Sequence, residues 1–268
     1  MKKILLLFTI AFLSISLISC KKNKENVIVV GASSTPHAKI LEQAKPLLEE
    51  LGYKLEIKTI DDYTIPNTSL YQGSLDANYF QHLPFLNLYN KNNGTDLVSV
   101  GSIHYEPFGL YGNGITNLNQ ATKTILIPND GSNRSRALLL LNQVGLIVLH
   151  DGVDPTADIT QKDVVNFNGF EITELAAENI ASSLRFSAKG TLGVINGNYA
   201  LSAGLSISDA LATEDVNGVA AQTYANIIAV RSESKDDPKI LALVKVLKSK
   251  EIADYINKTF NGAVKPVE

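Results

Sequence analysis

The chain has 268 residues, 45% of them hydrophobic and 19% charged, enough for one large globular domain or two modest ones. Its formal charge is −3. Without the first twenty residues, 22 bases stand against 27 acids, a balance of −5, and no basic stripe carries interleaved aromatics, which argues against a nucleic-acid partner.

Lys2 and Lys3 precede an apolar run over residues 4–17 that is too short to span a bilayer and reads as the core of a signal peptide. It ends in Leu17-Ile18-Ser19-Cys20, which resembles a bacterial lipobox. Cleavage is expected to remove residues 1–19 and leave Cys20 as a lipidated N-terminus, with residues 20–26 as a polar tether. Cys20 is the only cysteine, so no disulfide, cysteine metal site or cysteine nucleophile remains.

Residues 27–32 form a continuous apolar run, as a buried parallel strand requires. Pro36 is placed to start a helix running to 51, with Leu47, Leu48 and Leu51 inward and Gly52 closing it. A strand over 55–60, a loop at 61–63 and a short helix within 65–73 follow. The stretch from Asp76 to Phe85 opens as a strand, with His82 two residues past its end and Pro84 starting a helix to 92. Ligands dock at carboxyl ends of strands in open α/β sheets, so Tyr79, Phe80, His82 and Phe85 are expected to converge on one. Residues 97–103 form the next strand, and this βαβαβ rhythm implies an α/β fold with a mainly parallel sheet. An extended, Gly-punctuated segment (105–113) leads to a second unit. It comprises a strand at 123–127, a turn at 128–133, an apolar helix at 135–144 capped by Gly145, and strands at 171–175 and 192–195. A strand at 225–230 crosses back, and helices at 240–248 and 251–260 end the chain.

Several of these segments, in order and over nearly all of the mature chain, resemble the methionine-binding lipoproteins of bacterial ABC importers, the NlpA/MetQ-type family. They include Asp76-Ala77-Asn78-Tyr79-Phe80-Gln81-His82, Ile103-His104-Tyr105-Glu106-Pro107, Ile127-Pro128-Asn129-Asp130, Arg136-Ala137-Leu138-Leu139, Val194-Ile195-Asn196-Gly197-Asn198-Tyr199 and Tyr224-Ala225-Asn226-Ile227. The resemblance implies a type 2-like periplasmic-binding-protein fold, two α/β lobes with a ligand cleft between them. Lobe 1 would take residues 27–110 plus 227–268, and lobe 2 residues 111–226. It further implies a lipid-anchored, monomeric protein without a cofactor or metal. Such a protein faces the periplasm or cell exterior and hands methionine (L- and possibly D-) to a permease with its ATPase.

On that resemblance Arg136 grips the ligand carboxylate bidentately near a helix N-terminus, and Asn196 and Asn226 serve the ammonium and carboxylate, with Asn198 an alternative to Asn196. Tyr63, Phe80, His82 and Phe85 wall the side-chain pocket, where a thioether gains from aromatic edges. The family usually has Tyr where this chain has Phe85, and small residues where it has Arg134-Ser135. A methionine dipeptide or another apolar amino acid is the alternative ligand. The competing class is a surface hydrolase using His104 and Glu106 or His82. His104-x-Glu106 lacks the paired cysteines of a zinc deaminase, and His37, His82 and His150 show no ligand spacing with it, so a structural role at the lobe crossing is expected.

Overall fold

The computed structural model describes residues 26–214 and 222–267; the signal peptide and Cys20 lie outside them. The chain starts with β1 (Val27–Ala32), α1 (Lys39–Glu50), β2 (Lys54–Thr59), α2 (Ile65–Tyr71), β3 (Ala77–His82), α3 (Leu83–Asn93) and β4 (Val98–Tyr105). It then crosses into β5 (Gly109–Gly112), β6 (Thr124–Pro128), α4 (Gly131–Gln143), β7 (Val148–Leu149), β8 (Val164–Asn166), β9 (Glu171–Leu175), α5 (Ala177–Arg185), β10 (Leu192–Ile195), α6 (Gly197–Ser202) and β11 (Ala212–Thr213). The return supplies β12 (Asn226–Val230), α7 (Pro238–Leu247), α8 (Lys250–Phe260) and β13 (Lys265–Pro266).

Two sheets, and hence two α/β lobes, result. The first is ordered β13-β4-β12-β3-β1-β2 and the second β11-β5-β10-β6-β9, with β7 and β8 as a separate hairpin. β1 pairs parallel with β2 and β3, but β12 runs antiparallel between β3 and β4. In the second sheet β6 is parallel to β9 and β10, whereas β5 is antiparallel to β10 and β11. The sheets are therefore mixed rather than mainly parallel. The reason is topological: β12 and β5, by which the chain enters each lobe through a crossing, run against the direction set by the βαβ units.

Each sheet has core on both faces, by the two-residue period of its strands. In β12, Ile228 and Val230 join α1, α7 and α8 in one cluster, while Ile227 and Ala229 pack with Leu70, Leu75 and Leu86 in another. In the second lobe Ile125 and Ile127 meet the leucines of α4, and Leu126 meets Ile180 and Leu184 of α5.

Several boundaries differ from the sequence reading. Pro36 sits in a wide turn, and regular α-helix begins at Lys39. Its inner face is Ile40, Leu41, Ala44 and Leu48, whereas Leu51 is 50% exposed, because it follows the last helical turn rather than extending the stripe. His82 is the last residue of β3 and caps α3 by accepting the Phe85 N–H at Nδ1 (3.2 Å). The second half of the expected turn at 128–133 is helix: Asp130 accepts the Asn133 N–H (3.0 Å) and starts α4 four residues early. α5, α6 and the β7–β8 hairpin were not foreseen; α6 and the hairpin are too short to carry a clear period, whereas α5 does show one in Ala177, Ile180 and Leu184.

Candidate functional site

A cavity is lined from both lobes by Tyr63, Phe80, Gln81, His82, Phe85, Glu106, Asn133, Arg136, Asn196, Gly197, Asn198 and Asn226. All seven pocket residues expected from the sequence, namely Tyr63, Phe80, His82, Phe85, Arg136, Asn196 and Asn226, therefore meet at one place. Tyr79 does not. As the neighbour of Phe80 on a strand it points to the opposite face, where its hydroxyl bonds His104 Nδ1.

The apolar part of the cavity is built by three rings from different elements. Tyr63 stands in the loop after β2, Phe80 on β3 and Phe85 in the first turn of α3, and their centroids are 5.7–5.8 Å apart. Phe85 meets both other rings edge-to-face, the Tyr63–Phe80 pair is tilted, and rings at that range suit a polarizable side chain laid among them. Tyr63 also donates to Asn198 Oδ1 across the lobes (2.6 Å), and Tyr199 donates to the Asp61 carbonyl (3.2 Å).

The polar part is wired so that each amide has one orientation. Asn133 gives Nδ2 to both oxygens of Asp130 (3.0 Å each), which leaves its Oδ1 to accept from Asn196 Nδ2 (3.0 Å) and His82 Nε2 (3.3 Å). Asn196 thus presents Oδ1 to the cavity. Asn226 accepts from His37 Nε2 at Oδ1 (2.9 Å), so its Nδ2 is the end left for a ligand. His82 accepts at Nδ1 and donates at Nε2, the neutral tautomer; burial first, then Arg136, lowers its pKa to about 3.

Arg136 is 3% exposed. Its Nε and Nη2 pair with the Glu214 carboxylate (2.7 and 2.6 Å), and Nη2 also donates to the Glu106 carbonyl (2.7 Å). The bidentate face expected to hold a ligand carboxylate is therefore occupied by Glu214, and these bonds leave only Nη1. Arg136 is also the sixth residue of α4, past the helix's free N–H groups. Glu214 accepts in addition from the Tyr105 hydroxyl (2.8 Å) and the Phe108 N–H (3.0 Å), and so ties both lobe crossings to the guanidinium. No local pattern marks Glu214, which is why the sequence reading missed it. Arg134 lies away from the cavity, paired with Asp158 (2.8 Å) and Glu174 (3.3 Å).

Glu106 lies on the outgoing crossing. Its Oε1 receives His104 Nε2 (2.7 Å) and lies 3.4 Å from His37 Nε2. The lack of ligand spacing among the histidines was misleading here, because the fold brings His37, His104 and Glu106 within 4.8 Å of one another. Burial lowers the pKa of His37 to about 4 and of His104 to about 3, so both are neutral at neutral pH; His104 donates its Nε2–H to Glu106 Oε1, while the single N–H of His37 goes to Asn226. Gln81, Glu106, Asn133 and Gly197 are cavity residues that the sequence reading did not propose as ligand groups.

Two α/β lobes joined by paired crossings, with a buried cavity between them that mixes aromatic rings and oriented polar groups, define a two-lobed substrate-binding protein. The chain belongs to the NlpA lipoprotein family, whose model matches residues 28–268. It is 42% identical over 246 residues to the methionine-binding lipoprotein MetQ of Bacillus subtilis, covering 90% of this chain and 88% of that one. A periplasmic substrate-binding protein of an ABC transporter from Coxiella burnetii superposes with a TM-score of 0.81 at 38% identity, covering 90% and 100% of the two chains. A nutrient-binding protein from Burkholderia cenocepacia, solved with methionine bound, gives 0.83 at 34% identity, again over 90% and 100%. Among the described residues no helix is long and apolar enough to cross a membrane.

Proposed function

We propose that this protein captures free methionine in the inter-lobe cavity and delivers it to an ABC permease and its ATPase, tethered meanwhile to the membrane by lipid on Cys20. The observation that carries this reading is the cavity's composition: three mutually packed rings beside a set of polar groups with fixed donor and acceptor ends. Arg136 Nη1 and Asn226 Nδ2 are donors suited to the carboxylate, and Asn196 Oδ1 is an acceptor suited to the ammonium. Tyr63, Phe80, His82 and Phe85 form the wall for the thioether.

The protein acts by lobe closure, not by turnover. Residues 106–108 and the segment after β11 join the lobes, whose extents follow sheet membership. A hydrolase built on His104 would need that ring at the cavity. It is instead 0% exposed, bonded at both nitrogens, and absent from the lining.

The test is thermal denaturation of the full chain in mild detergent, unfolded and refolded to strip ligand. The screen covers the twenty amino acids, D-methionine and methionine dipeptides. A ligand at about a hundred times its dissociation constant adds roughly 2.7 kcal/mol and raises the midpoint by a few degrees. A shift with methionine is expected. A larger shift with a dipeptide, or none with any amino acid, overturns the ligand.

A further inference from the structure

Two buried acceptors in the cavity meet no protein donor among the described residues: Glu106 Oε2 and Asn196 Oδ1. Each is held in that condition by its own partners. Asp130 fixes Asn133, Asn133 takes the Asn196 amide nitrogen, and only the Asn196 oxygen is left open. His104 donates to Glu106 Oε1, so Oε2 turns to Gly197, where an added Cβ would lie 2.7 Å away. Gly197 adjoins Asn196, which places both open acceptors against the same short stretch. Buried acceptors of this kind are costly unless something donates to them, and a cationic donor suits a carboxylate best.

We propose that Glu106, through Oε2 and together with Asn196 Oδ1, is the receptor for the ligand's ammonium group, and that ammonium and proton compete for that oxygen. The proposal rests on the amino-acid reading of the cavity.

The charged and titratable groups facing Glu106 come from every element around it. They are His37 from the turn before α1, His104 from β4 with Tyr79 of β3 behind it, Tyr63 from the loop after β2, and Arg136 from α4, itself balanced by Glu214. His37 and His104 stay neutral through the physiological range. Burial raises the Glu106 carboxyl to about 7. Since Oε1 already accepts the His104 N–H, a proton on Glu106 sits on Oε2, the atom an ammonium would approach. Binding a cation there expels the proton, so affinity falls as pH drops below about 7. In Glu106→Gln the His104 N–H holds the amide oxygen in place of Oε1, which turns the NH₂ donor toward the ammonium.

The experiment is calorimetric titration of the full chain in detergent across about pH 5.5 to 8.5, in buffers of two ionisation enthalpies. The probes are L-methionine and 4-(methylthio)butanoic acid, the same molecule without its amine. The expected result is a methionine dissociation constant that rises about tenfold per pH unit below pH 7, with about half a proton released per ligand at pH 7. E106Q should bind methionine about a hundredfold more weakly at pH 8 and lose the pH dependence. The deaminated acid should bind both proteins within about threefold. A flat wild-type profile without proton release overturns the proposal, as does E106Q binding methionine like the wild type. If another amine-bearing ligand binds and methionine does not, the methionine reading fails, and the same comparison with that ligand decides on Glu106. If no amine-bearing probe binds better than its deaminated counterpart, the Glu106 proposal falls.

Discussion

The two buried carboxylates beside the cavity, Glu214 and Glu106, are both nearly inaccessible, yet their surroundings differ in kind. Glu214 is met at both oxygens by Arg136, the Tyr105 hydroxyl and the Phe108 N–H. Glu106 receives the neutral His104 N–H at one oxygen and, among the described residues, no donor at the other. A fully partnered carboxylate fastens the crossings together. A half-partnered one holds binding capacity in reserve, at the cost of a raised pKa.

Breaking the partnered side should have the largest effect. Arg136→Ala leaves Glu214 buried without its cation, a change worth about 3–5 kcal/mol of stability, and it removes a carboxylate donor from the cavity. Denaturant unfolding should show that loss, and methionine titration of the surviving folded protein should show no binding. Retained affinity would mean that Arg136 serves the fold alone.

On the half-partnered side the effect depends on pH, and its sign is opposite to that of a salt-bridged acid. The Glu106 pKa rises from an ordinary 4.5 to about 7 on folding. The folded state therefore binds this proton more tightly than the unfolded state, and its contribution to stability is present below pH 4.5 and lost as pH rises through 7. The size is on the order of 3 kcal/mol. The buried histidines act the other way, because their lowered pKa values cost stability as pH falls below 6.5. The difference between ligand-free wild type and E106Q isolates the carboxyl: E106Q should gain relative stability between pH 4.5 and 7, followed by urea midpoints. A constant difference across that window would show that Glu106 is charged throughout.

A smaller effect separates lobe closure from the polar core. Tyr63→Phe removes the hydroxyl that reaches Asn198 across the cleft but keeps the ring against Phe80 and Phe85. Methionine affinity should fall by about 1 kcal/mol, roughly fivefold, with little change in unfolding midpoint. An equal loss of stability without ligand would place that bond in the fold rather than in closure.

Much of this was legible in the sequence because it is local. Apolar runs gave β1 and β12, and Pro84 and Gly145 marked a helix start and a helix end. The resemblance led to the seven residues now found around one cavity. What was not legible depends on contacts far apart in sequence. The Arg136–Glu214 pair spans 78 residues and the His37–Asn226 bond 189, and neither leaves a spacing to read. The His104-x-Glu106 pair was visible, but its meaning depended on His37 arriving from the first turn of the fold.

The most direct test of the central claim, that the cavity selects a free amino acid by its charged ends as well as its side chain, is calorimetry on the ligand-stripped protein with L-methionine and its methyl ester. Methionine should bind, and the ester, with its carboxylate masked, should bind at least about a hundredfold more weakly. Equal binding of the two would contradict that claim, leaving the aromatic wall as the only determinant of the site.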